Sequence, residues 1–390
     1  MLVSNCSFVG SHHFEEASAI FFGSNNRDLL IENCDFKYAR LDLNVGSSKL
    51  LNLISLSLSS NNSIDDTEGI LDNPGSAIII AAVWAKNITI SKSRFVNNTC
   101  STCRVEVALL SLASETVNLS ECFFGNDTIA SKHPLTLVHI EPHRLSQRHT
   151  VNINRCIFSH LLSTAGSGVK WISCSNSQSF VISYSVFEHS TTSGAALECR
   201  FCGFGGQTRI ENSLFHHNTI TGGIIASGFY LTDSIIEKNT VYNVPLLGRT
   251  NSTNSLSDTM ISNVTLQLNQ AIGTPLCAIA TGWTFDHVTF INNVVALQSS
   301  DGEEGDGEHD GEQDGDADRG QQRYRGVADN SVVPPPLLTS VNASIRFSEF
   351  HGNTGTLEVV NTFFDHNNVL SSQSVGAVAS FARSTVQHSS

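Results

Sequence analysis

Short apolar–polar alternations that end in phenylalanine recur along the chain, each followed by a polar step and often by asparagine three residues on. They read NCSF at Asn5 to Phe8, ENCDF at Glu32 to Phe36, SRFVNN at Ser93 to Asn98, and NRCIF at Asn154 to Phe158. Later copies are SYSVFEH at Ser183 to His189, NSLFHHN at Asn212 to Asn218, HVTFINN at His287 to Asn293, and FSEFHGN at Phe347 to Asn353. The alternation has the period of a strand, and helical periodicity is nearly missing. Phe8 to Phe36 and Phe187 to Phe215 are 28 residues apart; Phe95 to Phe124 and Phe158 to Phe187 are 29 apart. Phe36 to Phe95 spans 59, which predicts a degenerate copy at Leu58 and Asn61 between them. Ile236 to Phe290 spans 54, with Leu266 and Asn269 between. Phe350 to Phe364 is only 14, shorter than any full coil and pointing to a deletion or a different face.

A strand-like repeat of about 28 residues predicts a β-solenoid. Each turn of such a fold pairs its short strands with those above and below, about 4.8 Å away. One residue type at one repeat position then stacks on itself, so inward Phe, Ile and Val form the core and Asn at a turn forms an amide ladder. The expected fold is all-β: a right-handed parallel β-helix of about 12 coils, with Phe95, Phe124, Phe158, Phe187 and Phe215 buried in register. The Leu-x-x-Leu-x-Leu frame of leucine-rich repeats and the Trp-Asp or Gly-His signals of propeller blades are missing.

Composition and charge divide this repeat into parts. Charged residues make up 15% of the 390, and net charge is -14. Residues 301–320, DGEEGDGEHDGEQDGDADRG, carry ten acids and one Arg, so -9 lies there and -5 on the rest. The expected organisation is a β-helix over 1–300, an acidic then Pro-rich disordered insertion over 301–336 closed by Pro334 to Pro336, and further coils over 337–390. Asp314, Asp316 and Asp318 have the alternate spacing of a calcium loop, but Arg319 and Arg325 stand where Gly and Glu are needed. No basic footprint points to nucleic acid. The best apolar run, Ala77 to Trp84, is too short to span a membrane.

The copies Phe95-Asn98, Phe123-Asn126, Phe215-Asn218, Phe290-Asn293, Phe350-Asn353 and Phe364-Asn367 resemble the F-x-x-N motif of polymorphic outer-membrane proteins. Its glycine companion is similar to Gly194-Ala195-Ala196-Leu197, Gly222-Gly223-Ile224-Ile225 and Gly376-Ala377-Val378. More widely, the chain resembles pectin-lyase-like right-handed parallel β-helix proteins, including those of protists. The resemblance implies a non-enzymatic surface or secreted protein that adheres to, or binds, glycans or proteins. Two alternatives stand beside it: a polysaccharide lyase or glycoside hydrolase of the same fold, active or decayed, and an intracellular scaffold with reduced cysteines and unused sequons.

Candidate chemistry is sparse. Hydrolysis needs paired carboxylates, and lyase chemistry needs calcium-holding acids beside a basic residue. Outside the insertion the adjacent acidic pairs are Glu15-Glu16 and Asp65-Asp66. Glu188, Glu211, Asp233, Glu237 and Asp365 flank anchors singly and are assigned to surface polar positions. No catalytic residue and no cofactor is expected. His160, His189 and His217 fall two residues after successive anchors, with His216, His351 and His366 in the same zone. Stacked imidazoles could chelate a transition metal or gain charge together in mild acid; a polar turn that also accepts Lys238 and Asn292 explains them without either. Cys6, Cys34, Cys122 and Cys156 sit two residues before the anchor on the inward face, where a free-thiol ladder is preferred to disulfides. Cys100-Cys103 and Cys199-Cys202 are too far apart for one zinc site. Sequons stand at Asn5, Asn61, Asn87, Asn97, Asn118, Asn126, Asn251, Asn263 and Asn342, compatible with an extracellular or cell-surface location. The repeat already runs at Asn5, which suggests that an N-terminal cap is missing.

Overall fold

The structure is a computed structural model. It describes residues 2–9, 19–22, 28–37, 40–41, 78–81, 87–97, 99–103, 107–113, 116–131, 135–141, 149–165, 170–175, 177–192, 196–200, 207–224, 230–248, 259–279, 282–297, 335–360, 362–370, 379–382, 384–387 and 389. Among these, every regular element is a strand and the strands pair in parallel. This is the arrangement of a parallel β-solenoid.

The largest sheet takes two short strands joined by a two-residue turn from most coils, and one continuous nine-residue strand from two of them, Thr259–Gln267 and Trp283–Ile291. Asp28–Glu32 leads, Asn33 and Cys34 turn, and Asp35–Lys37 trails. Alternation sets the core. Leu29 and Ile31 of the leading strand and Phe36 of the trailing strand point inward and are buried, as does Cys34 in the turn. The first turn residue is left-handed in copy after copy: Asn33 has φ 52°, Glu121 54°, Arg155 53° and Tyr184 51°. A second turn follows the trailing strand and repeats the device, at Asn126, His160, His189, His217 and Lys238. Asn, Asp and His adopt this region more readily than other non-glycine residues, which is why they crowd both turns.

The predicted phenylalanine register is borne out. Phe36, Phe95, Phe124, Phe158, Phe187 and Phe215 stack one per coil with centroids 4.6 to 4.8 Å apart and planes within 5°. Ile236 and Leu266 continue the column, then Phe290 and Phe350. Offset stacking adds about 0.5–1.5 kcal/mol per aromatic pair beyond area burial.

Two register expectations are corrected. Phe36 pairs directly with Phe95, at 4.8 Å, so no coil separates them; Leu58 and Asn61 lie outside the described residues. Phe364 is not an anchor. It pairs with Ile345 and Val386 in the leading-strand column, and Val369 takes the place below Phe350. That coil is short: Ser348 and Asn367, at equivalent positions, are 19 residues apart. His366 consequently belongs to the first turn, stacked on Phe347 at 5.0 Å, and not to the zone of His217.

The second turn carries the asparagine ladder. Asn218 Nδ2 donates to Asn239 Oδ1, Asn239 to Asn269, Asn269 to Asn293, and Asn293 to Asn353, at 2.9 to 3.1 Å. Each Asn backbone N–H also donates to the next Oδ1, and each Nδ2 also reaches a strand carbonyl, as Asn239 does to Phe215 O at 2.9 Å. The chain spacing across these rungs is 21, 30, 24 and 60 residues. Turn chemistry therefore holds register while connecting segments change length. The last interval contains the acidic run, which lies outside the described residues; Cys277 pairs with Leu338 and Phe290 with Phe350 across it.

Candidate functional site

Parallel stacking makes columns of the outward positions as well. In the leading strands the last residue is polar throughout: Glu32, Ser91, Ser120, Asn154, Ser183 and Glu211 follow one another, then Thr232, Ser262 and Asp286. Some rungs are bonded, as Ser183 Oγ is to Asn154 Oδ1 at 3.1 Å. In the trailing strands the residue before the anchor is apolar over five successive coils: Phe123, Ile157, Val186, Leu214 and Ile235. Ile157 is 39% and Ile235 44% exposed, although both face outward from the core. Arg94 closes one end of this row with its guanidinium 5.5 Å from the Phe123 ring, and Thr265 follows at the other. Tyr184, 57% exposed in the first turn, stands between the apolar and polar rows. At about 4.8 Å per coil the apolar row is about 19 Å long.

No family model, curated protein or solved structure matches this chain. The site is therefore read from its own geometry.

The second turn brings the imidazoles together. His160 and His189 stack at 5.0 Å, and His189 and His217 at 4.9 Å. The predicted column thus forms, but His160 is not part of its closest group. Its Nδ1 is 2.7 Å from Ser159 Oγ. Sequence reasoning gave His216 only a neighbouring place; the structure makes it central. It ends the trailing strand Leu214–His216, edge-on to both His189 and His217. Its Nδ1 lies 3.0 Å from His217 Nδ1 and its Nε2 2.9 Å from Glu188 Oε2. The ligand atoms of His189, His216 and His217 all fall within 4.8 Å of one another, the one such group of three among the described residues. Some burial, followed by the neighbouring charges of His189, Lys238 and His216, holds the His217 imidazole below its usual range, against the opposing pull of Glu237.

The other candidate residues separate by environment. Cys6, Cys34, Cys122 and Cys156 face inward as expected and are free, with Ser93 filling the place between Cys34 and Cys122. Burial raises the Cys34 and Cys277 thiols; Cys156 is pushed well up first by side-chain hydrogen bonding with the Cys122 thiol and then by burial. The side chains of Cys100, Cys103, Cys199 and Cys202 lie outside the described residues, as do Asp65 and Asp66. Sequon residues Asn5, Asn126, Asn263 and Asn342 are exposed left-handed turn residues, while Asn87, Asn97 and Asn118 are half-buried. Asn61 and Asn251 lie outside the described residues. Of the glycine motif, Gly223 has a structural reason: its φ is 80°, and a Cβ there would lie 2.9 Å from Pro245 O.

Proposed function

We propose that this chain is a right-handed, pectin-lyase-like parallel β-helix of about a dozen coils that acts without catalysis, as an extracellular or surface protein that binds glycan chains. The observation that carries this reading is the pairing of two long rows on one sheet: an outward apolar row, half-buried at Phe123, Val186 and Leu214 and exposed at Ile157 and Ile235, and an unbroken polar row, both repeating once per coil. Sugar rings have an apolar C–H face and a rim of hydroxyls. A chain of them laid across the coils meets aliphatic and aromatic side chains with the first and Ser, Asn and Glu with the second. The core needs no apolar residue at outward positions, so packing alone leaves Ile157 and Ile235 unexplained. The exposed sequons in the turns support secretion, where they would be glycosylated.

The test is a glycan array probed with the parent and with Ile157→Asp combined with Leu214→Asp. Both changes face solvent and leave the inward columns intact. The reading expects a defined set of glycans bound by the parent and lost by the variant at unchanged strand content. Equal binding by the two proteins, or a parent that binds no glycan on the array, would overturn it.

A further inference from the structure

We propose that His189, His216 and His217 form a site for one divalent transition-metal ion, which clamps two successive coils together at their second turn. Three imidazoles suit zinc, nickel or copper in preference to calcium or magnesium. The backbone places them rigidly: His189 N donates to His216 O and His217 N to Glu237 O, each at 3.2 Å. The left-handed φ of 48° at His189 and 55° at His217 turns both rings to the solvent side.

The polar contacts then select the ligand atoms. His216 Nε2–H donates to Glu188 Oε2 at 2.9 Å, which leaves the lone pair on His216 Nδ1. This is the carboxylate–histidine arrangement that orients imidazoles at metal centres. His216 Nδ1 and His217 Nδ1 are 3.0 Å apart and share one proton. Two nitrogens on a tetrahedral zinc ion are separated by roughly 3.3 Å, from bonds of 2.0–2.1 Å. An ion can therefore take that proton's place with a small displacement: neutral His217 gives up its Nδ1 proton and takes one at Nε2 by exchange with water, so its imidazole stays neutral and no net proton is released. His189 completes the set by a rotation of its exposed ring, starting from within 4.8 Å. Glu188 and Glu237 border the group in the trailing-strand column and oppose the charge of Lys238 beside it.

The turn itself requires only residues that tolerate the left-handed region, and Asn292 or Lys238 meets that need elsewhere. It does not require a histidine at 216 or a carboxylate against it. His160 is set apart by Ser159 and serves as the internal control.

The test uses the full chain, titrated calorimetrically with zinc chloride and, separately, nickel chloride at neutral pH. Thermal unfolding is followed with and without each ion. His189→Asn and His217→Asn keep residue types already present in that turn, and His216→Gln matches Gln267 in its column. We expect one saturable site, a rise in Tm reversed by chelator, and at least tenfold weaker binding in each of the three variants. Glu188→Gln should weaken binding by about 10- to 100-fold, the usual effect of losing an outer-shell partner. His160→Asn should bind as the parent does. Cobalt(II) spectra should show nitrogen ligation without a thiolate charge-transfer band. The proposal is overturned by no saturable binding, by equal binding in parent and ligand variants, by a thiolate band, or by equal losses in His160→Asn and His189→Asn.

Discussion

Replacing Asn239 with alanine should destabilise the solenoid more than the same change at Asn218, though both side chains are 1% exposed and share one column. The difference follows from the direction of the ladder. Asn218 Oδ1 accepts from the backbone N–H of Ser190. Asn239 Oδ1 accepts two bonds, from Asn218 N and Asn218 Nδ2, both at 3.0 Å. Asn218→Ala therefore strands one buried donor and Asn239→Ala two. Each orphaned buried donor costs about 1–3 kcal/mol. Both variants lose a bond from Nδ2 to a strand carbonyl and create cavities of similar size, so those contributions cancel in the comparison. The excess for Asn239→Ala should then be about 1–3 kcal/mol. Urea unfolding gives the global difference, and native-state hydrogen exchange gives the local one, which matters because solenoids need not unfold in a single step. The backbone N–H of residue 218 should lose protection in Asn239→Ala and keep it in Asn218→Ala, where Asn239 Oδ1 still accepts from it. Equal destabilisation, or an Asn218 amide still protected in Asn239→Ala, would refute the ladder as the source of the effect.

Three further outcomes are expected. Deleting residues 301–330 should leave Tm nearly unchanged, because Phe290 already stacks on Phe350 at 4.6 Å and loop length enters stability only logarithmically; a large drop in a thermal melt would show that the segment supports the coils. Arg155, at φ 53°, should gain up to about 1–2 kcal/mol on replacement by Gly and tolerate Asn, while β-branched valine there should lower stability in chemical denaturation. The Cys277 thiol, raised by burial, favours the protonated form in the folded state. Its contribution is complete below the unfolded value of about 8.5 and is lost as pH rises through that value towards the folded one. Alkaline melts of Cys277→Ala should thus start lower but fall less steeply, and parallel curves would count against the assignment.

The sequence made the inward columns readable because a stacked fold writes the same residue into the same place. Phe95 to Phe215 could be located from spacing alone. Spacing failed where coil length varied. The 59 residues between Phe36 and Phe95 divide neatly by two, yet the rings touch, since a long connection between fixed turns leaves the stack intact. Phe364 carried the F-x-x-N motif but belongs to the leading strand; in that short coil Asn367 stands where other coils place Ser or Cys, accepting from Ser348 N at 2.8 Å. The histidine column was visible as a column. The role of His216 was not, because it depends on ring orientation and on the carboxylate one coil back, and periodicity carries neither. The apolar outward row was hidden for a related reason: Ile157 and Phe158 are adjacent letters, and only the strand's alternation tells which faces water.

The asparagine ladder also gives the molecule a mechanical sense of direction. Every rung gives two N–H groups to the Oδ1 of its C-terminal neighbour, and only the second Nδ2 hydrogen reaches back to a carbonyl on the N-terminal side. Pulling coils away from the C-terminal side removes, at each step, the oxygen that held two N–H groups of the coil left behind. Peeling from the N-terminal side frees that oxygen and strands only one N–H, the Nδ2 hydrogen that had reached the departing carbonyl. Force applied at one end should therefore meet a different sequence of barriers from force applied at the other, and tension along the axis would be released in coil-sized steps set by that polarity.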